Sequence, residues 1–344
     1  MRAMVLRGRT LSVEEVERPR PGPGQVLARV RACGVCGSDL HYARFADQFA
    51  GSGALQGTGA MAGADGPPAI IMGHEYVAEV VETGPGVTSP APGTRVTSVP
   101  VLPDPASPRG TQAIGYSPTV PGAYGEYILL SSSLALPVPD GVSDVLGSAT
   151  EPCAVGLHAV RQSHVDADER VLVMGAGPIG LMTLLWLKQH GVRQVVVSEP
   201  APPRREMALR LGADAVLDPS QGEVGTRFAE AAGGPPGVVF ECVGVPGTLQ
   251  QAIELVERQG RIVVVGVCMQ EDRIRPSLAL TKHLPLQFVL GYSADEFAET
   301  LDAITAGAVD PAPMITGTVT LDELPRAFEE LGDPRDCMVT LVFP

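Results

Sequence analysis

The sequence predicts an α/β protein in two parts, a β-rich part followed by a doubly wound parallel sheet. Three observations predict it. The chain has 344 residues, more than the ~100–200 that usually share one core. As far as about residue 145, short β-branched runs alternate with Gly/Pro turns. Beyond that point, uninterrupted apolar runs alternate with helical patterns.

In the first part, "MRAMVL", "QVLARVRA" and "EYVAEVVE" read as strands, separated by "RPRPGPG", "TGPGV" and "APGTRV". Those separators carry turn chemistry. "GEYILL" follows the turn "VPGAYG", and no long amphipathic helix is expected before residue 145. The second part opens with "EPCAVGLHAVRQ", a short helix with Ala154, Leu157 and Val160 on one stripe. Strands "RVLVMG", "QVVVSE", "DAVL", "GVVFECVG" and "RIVVVGV" then alternate with helices. The helices are "PIGLMTLLWLKQHG", closing at Gly191, then "PPRREMALRLG", "GTRFAEAAGG" and "GTLQQAIELVERQG". Continuous apolar strands between helices mean a parallel sheet covered on both faces. In the tail, "SADEFAETLDAITAG" and "LDELPRAFEEL" read as helices and "CMVTLVF" as a closing strand.

Bulk properties exclude several function classes. A net charge of −14, with no Lys/Arg run, is wrong for nucleic acid and for an anionic membrane surface. The opening "MRAMVLRGRT" lacks the apolar stretch of a signal peptide, and no run approaches the ~20 apolar residues of a membrane span. Of the six cysteines, Cys153, Cys242, Cys268 and Cys337 stand singly. That is a poor disulfide framework and points to a reducing, cytoplasmic setting.

"VMGAGPIG" supplies Gly175, Gly177 and Gly180 in a G-x-G-x-x-G pattern. The first glycine makes a tight turn, the second admits a pyrophosphate at a helix N-terminus, and the third lets helix and strand pack closely. The next strand ends in Glu199, 19 residues past Gly180, where a carboxylate meets the adenosine ribose hydroxyls. A carboxylate there favours NAD over NADP, although Arg204 and Arg205 lie close by.

"IIMGHEYVAEV" places His74 and Glu75 between a turn and a strand. Cys36, in "CGVCGSDLH", lies 38 residues upstream. Cysteine, histidine and carboxylate together suit Zn²⁺, and three protein ligands leave one position open for chemistry. "TEPCAVG" adds Glu151 where the two parts join. By itself the pair Cys33 and Cys36 admits a redox dithiol, half of a zinc clip or a single catalytic ligand.

With "GVCGSDLH", "MGHEYVAEVVETGPGV", "EPCAVGLHAV", "VLVMGAGPIG" and "GRIVVVGV" in that order, nearly the whole chain resembles the zinc-dependent medium-chain dehydrogenases/reductases. That family includes alcohol, sorbitol, threonine and butanediol dehydrogenases. The resemblance implies a GroES-like catalytic domain over residues 1–146, completed by 286–344, and a Rossmann NAD-binding domain over 147–285. It implies that Cys36, the cysteine before "GSD", is a metal ligand with His74, and that Cys33 is a packed neighbour. Glu151 falls at the third ligand position of the sorbitol dehydrogenase type. Glu75 follows the ligand histidine and binds metal in some members. The two glutamates stay unranked, with Cys153 as a rival.

Ser38 and His41 correspond to the family's proton relay, so the implied catalytic set is Ser38, His41, Glu75 and Glu151. Asp39 is a candidate to orient His74, a turn or cap role being the alternative. Val243 in "ECVG" and Val265 and Val267 in "VVGV" are implied to line the nicotinamide. They join Gly175, Gly177, Pro178, Ile179, Gly180, Glu199 and Arg204 in the cofactor set. One departure stands out: the segment after "GTRV" has no cysteine, which excludes a four-cysteine structural zinc there.

The expected protein is therefore an oxidoreductase with one catalytic zinc, passing hydride between NAD(H) and an alcohol/ketone pair. The substrate would be a secondary alcohol or polyol, and the assembly a cytoplasmic homodimer or homotetramer. A zinc-free quinone or enoyl reductase would not need Cys36, His74 and Glu151 together. A non-catalytic dinucleotide sensor would have lost a ligand or relay residue. Residues 42–70, rich in Gly and Ala with Tyr42, Phe45 and Phe49 at their start, are expected to form a lid, the alternatives being a disordered surface insertion or an arm that packs on a neighbouring subunit.

Overall fold

The computed structural model describes residues 1–52, 69–108, 110–331 and 338–343, apart from the side chains of 45–52 and 339. The chain divides into two compact units, residues 1–151 with 315–344, and residues 152–314.

In the first unit, the strand Gln25–Gly34 is the hub of a seven-stranded sheet. Val26, Ala28, Val30 and Ala32 are buried on one face, while Arg29 and Arg31 between them are only partly buried, the period-2 pattern of a strand. Glu75–Thr83 pairs antiparallel along its whole length, and Tyr127–Ser131 pairs with residues 25–29 on the other edge. Met338–Val342 joins residues 32–34 on that same edge, so the end of the chain does return to this sheet. A smaller sheet pairs Thr10–Glu15, Arg2–Arg7 and Ala69–Ile70.

The expectation of a helix-free first part is corrected by a 16-residue helix, Gly37–Ser52. It starts where the hub strand ends, with the N–H groups of Asp39 and Leu40 bonded to the Cys36 carbonyl. Its sequence hides it. The helix opens on Gly and Ser, which favour turns, and its mixed apolar pattern gives no clear stripe. The Asp39 carboxylate in the first turn suits the positive end of the helix dipole. The helix takes up the start of the expected 42–70 lid. Phe45 and Phe49, and the Gly/Ala-rich stretch 53–68, lie outside the described residues or side chains.

The second unit is a six-stranded parallel sheet. Its order is Ala215–Leu217, Gln194–Ser198, Arg170–Met174, Val238–Glu241, Arg261–Val264 and Leu286–Phe288. In chain order that is 3-2-1-4-5-6, the Rossmann order. Leu172, Val196, Val239 and Ile262 pack with Phe228 and Ile253 from the covering helices. The units part at Glu151 and Met314 rather than at 146 and 285. Leu286–Phe288 supplies the sixth parallel strand. Helix Ala294–Thr305 is tied to helix Thr150–Ser163 by Glu296, whose carboxylate lies 3.0 Å from His158 Nδ1.

Candidate metal centre and cofactor site

Strand pairing removes the sequence distance between the two ligand segments. Gly34 lies opposite Glu75 and Cys33 opposite Tyr76 in an antiparallel ladder. The exit of one strand therefore adjoins the entry of the other, and Cys36, His74 and Glu75 meet at one end of the sheet. Ligand atoms of these three residues lie within 4.8 Å of one another. Cys36 is partly buried; His74 and Glu75 are buried. Cys33 stays in the strand, fully buried, with its thiol on the Gly34 carbonyl. Neither Glu151 nor Cys153 belongs to the group of three. Glu151 is buried, and its charge acts on Glu75.

The electrostatics fit a cation. Burial and the neighbouring Glu151 push the Glu75 carboxyl up to about 8. Burial and Glu75 push the Cys36 thiol up to about 11. Buried acids crowded against a single imidazole are costly as anions, and a divalent ion reverses that cost. His74 is oriented for the task. Its Nδ1 lies 3.4 Å from Asp39 Oδ1, leaving Nε2 for a metal, the arrangement that fixes a ligating histidine. Asp39 is fully buried. Burial opposes its charge, but His74 and two tyrosine hydroxyls hold its pKa below the usual range.

Those tyrosines were not legible in the sequence. Tyr124 donates to Asp39 Oδ2 at 2.6 Å, and Tyr116 donates to Asp39 Oδ1 at 2.9 Å. Their only sequence signal was position, in a turn-rich stretch of a chain with 4% aromatics. Ser38 Oγ lies 2.7 Å from the Tyr116 hydroxyl and 3.1 Å from Cys36 Sγ. His41 follows on the next turn of the same helix, half-buried, its pKa lowered by burial and by Arg44.

In the second unit, the glycine turn is shaped by close approach. A Cβ on Gly180 would overlap the Gly175 carbonyl, and Gly175 itself holds φ +92°. At Gly177, by contrast, a Cβ would meet nothing within 4 Å. That open space faces the start of helix Pro178–Gln189, which no side chain caps, and it fits a pyrophosphate. Pro178 occupies the first helical turn, with Ile179 next to it. Glu199 is buried and accepts the Ala176 N–H at 2.8 Å and the Ala201 N–H at 2.9 Å. It is thus anchored beside the glycine turn.

The two arginines separate. Arg205 binds the carbonyls of Glu199 and Pro200, both at 2.7 Å, and pairs with Asp218. Arg204 leaves a buried Nε without a partner. Glu241 Oε1 holds the turn after its strand through the N–H groups of Val243 and Gly244, both at 2.9 Å. Val243 and Val267 stand exposed at the carboxyl ends of their strands, whereas Val265 is buried. Ligands of such sheets bind at those carboxyl ends.

A Rossmann sheet with an open glycine turn, together with a separate Cys–His–Glu centre on a β-rich unit, defines a nicotinamide-dependent, metal-using oxidoreductase. Comparison with known proteins agrees. Residues 22–140 match the alcohol dehydrogenase GroES-like domain, and residues 178–306 match the zinc-binding dehydrogenase family. The chain belongs to the zinc-type medium-chain dehydrogenases. It is 32% identical over 324 residues to (R,R)-butanediol dehydrogenase of Bacillus subtilis, covering 91% of this chain and 90% of that one. It is 29% identical to sorbitol dehydrogenase of Bos taurus, covering 93% and 89%. A solved structure from Sinorhizobium meliloti, described as a zinc-binding dehydrogenase bound to NADP, superposes with TM-score 0.86 at 29% identity, covering 99% of each chain.

Proposed function

We propose that this chain interconverts a secondary alcohol or polyol and its ketone, with one zinc ion per chain and a preference for NAD(H). The observation that carries the proposal is the Cys36–His74–Glu75 group with Asp39 fixed behind the histidine. Cys36, His74 and Glu75 would hold the ion, with Glu151 beside Glu75. Bound there, zinc would polarise a substrate oxygen as a Lewis acid, and nicotinamide would supply or accept the hydride. The chain's own residues manage the proton. In this reading Ser38 accepts it from the substrate hydroxyl, and half-buried His41 passes it toward solvent.

Glu199 supports NAD, because a carboxylate beside the adenosine ribose repels a 2′-phosphate. Pro178, Ile179, Arg204, Val243, Val265 and Val267 complete the cofactor set in this reading. The diol and polyol named for the two relatives support the substrate class. The cysteine-free segment after Val96 supports a single zinc. Its hairpin pairs Val101–Pro103 with Thr111–Ala113 through the main chain, and the Gln112 side chain braces it by hydrogen bonds to Asp104 and Ser117. Among the described residues no helix is long and apolar enough to cross a membrane. A cytoplasmic homodimer or homotetramer belongs to the same reading and rests on the family resemblance. The test is a panel of diols, polyols and simple secondary alcohols, read by NADH and NADPH absorbance with zinc-replete protein. Absence of turnover with every alcohol and both cofactors would refute the proposal.

A further inference from the structure

We propose that Tyr116 is a positioning residue whose single hydroxyl ties Ser38 to Asp39, setting the serine and the histidine's carboxylate partner together. The inference rests on the relay role given to Ser38 above.

Tyr116 is buried between two rings, its centroid 5.3 Å from that of Tyr42 and 5.3 Å from that of His74. Its hydroxyl oxygen is shared by three groups: Ser38 Oγ at 2.7 Å, Asp39 Oδ1 at 2.9 Å and His74 Nδ1 at 3.3 Å. A count of protons decides what this network does. Tyr116 and Ser38 carry one hydroxyl proton each, and an ionised carboxylate carries none. The Tyr116 proton goes to Asp39. The 2.7 Å contact with Ser38 therefore needs the serine's proton, which is then turned away from Cys36 Sγ. Ser38 is left with free lone pairs, as an acceptor for a substrate hydroxyl. Without the tyrosine oxygen, Cys36 Sγ at 3.1 Å is the acceptor that would claim the serine's proton.

The segment that lacks the cysteines delivers this tyrosine. Gln112 Oε1 accepts from Ser117 Oγ and from Thr119 Oγ1, both at 3.1 Å, while its Nε2 donates to Asp104. This clasp pins the turn that follows Tyr116 to the hairpin. Asp39 has a second holder, Tyr124, so removing the Tyr116 hydroxyl should disturb Ser38 far more than the metal centre.

Tyr116→Phe keeps the ring and removes only the hydroxyl. Zinc-loaded Y116F, S38A and the double variant are compared with wild type for kcat, KM and zinc content, and Y116F is also crystallised. The expected result is a kcat about 10–100-fold lower in Y116F, with KM and zinc content near wild type. In the S38A background the same change should alter kcat less than about twofold, because groups acting through one another are not additive. Crystals should show Ser38 Oγ moved off its place beside residue 116, keeping its contact with Cys36 Sγ. Multiplying losses in the double variant, wild-type kcat in Y116F, or an unmoved Ser38 would each overturn the inference. Wild-type protein inactive on every alcohol would instead refute the alcohol–ketone reading, and the Ser38 rotamer in Y116F would still decide the positional claim.

Discussion

Gly34 lies directly across the antiparallel ladder from Glu75, and a Cβ built on Gly34 would overlap the Glu75 carboxylate. The missing side chain is what lets a carboxylate fold back over the strand end toward Cys36 and His74. Gly34→Ala should push Glu75 out of the group of three. Overpacking of this kind costs about 1–3 kcal/mol. Zinc content should fall below one per chain and the melting temperature should drop. Elemental analysis and thermal denaturation check this; a variant with full zinc content would show that Glu75 does not need that space.

The two cysteines of the C-x-x-C pair should behave oppositely. In the proposed reading, Cys36→Ser and His74→Ala should each lose zinc and nearly all turnover, since each removes one of three clustered groups that could hold the ion. Cys33→Ala should keep both, because its thiol packs inside the strand. Metal analysis beside steady-state kinetics reads the outcome. Two zinc ions per wild-type chain, or an active Cys36→Ser, would contradict the assignment.

In the proposed reading Glu199 both holds backbone amides and disfavours a 2′-phosphate, and substitution should separate the two. Its carboxylate anchors the Ala176 and Ala201 amides, so Glu199→Ala strands two donors at about 1–3 kcal/mol each when buried. It should also shift the kcat/KM ratio toward NADP by tenfold or more. Glu199→Gln keeps an amide acceptor and removes the charge, so it should shift cofactor preference with a smaller loss of stability. Wild-type kinetics favouring NADP would overturn the assignment and direct attention to the unpartnered Nε of Arg204.

Acid sensitivity should trace in part to Glu296. Burial opposes its charge, but the Ser293 N–H and His158 hold its pKa below the ordinary value. A carboxyl depressed in the folded state adds stability above its unfolded pKa and loses it as pH falls through the folded one. Glu296→Gln should therefore lower stability at neutral pH, where the capping box around Ser293 is complete. It should also flatten the decline as pH falls below about 5, through the carboxylate range. Melting curves across that range test it; parallel curves for the two proteins would assign the acid sensitivity elsewhere.

The sequence by itself determined the parallel sheet and most of its helices. Strands buried on both faces, such as Val171–Met174 and Val238–Glu241, read as apolar runs whatever packs on them. The glycine turn and the candidate acid Glu199 were legible from short local spacing, whereas Cys36 and His74 were candidates through the family resemblance. Helix Gly37–Ser52 escaped, because it opens on turn-favouring Gly and Ser and its apolar residues form no clean stripe. The boundary at Met314 escaped too, because Leu286–Phe288 is a strand only through its pairing with Arg261–Val264. Only the tertiary structure grouped Glu75 rather than Glu151 with Cys36 and His74, through the Gly34–Glu75 register. It alone brought Tyr116 and Tyr124 onto Asp39, across 77 and 85 residues of chain. A hydrogen bond between residues that far apart leaves no periodic trace in the sequence, since it is set by where strands and turns end in space.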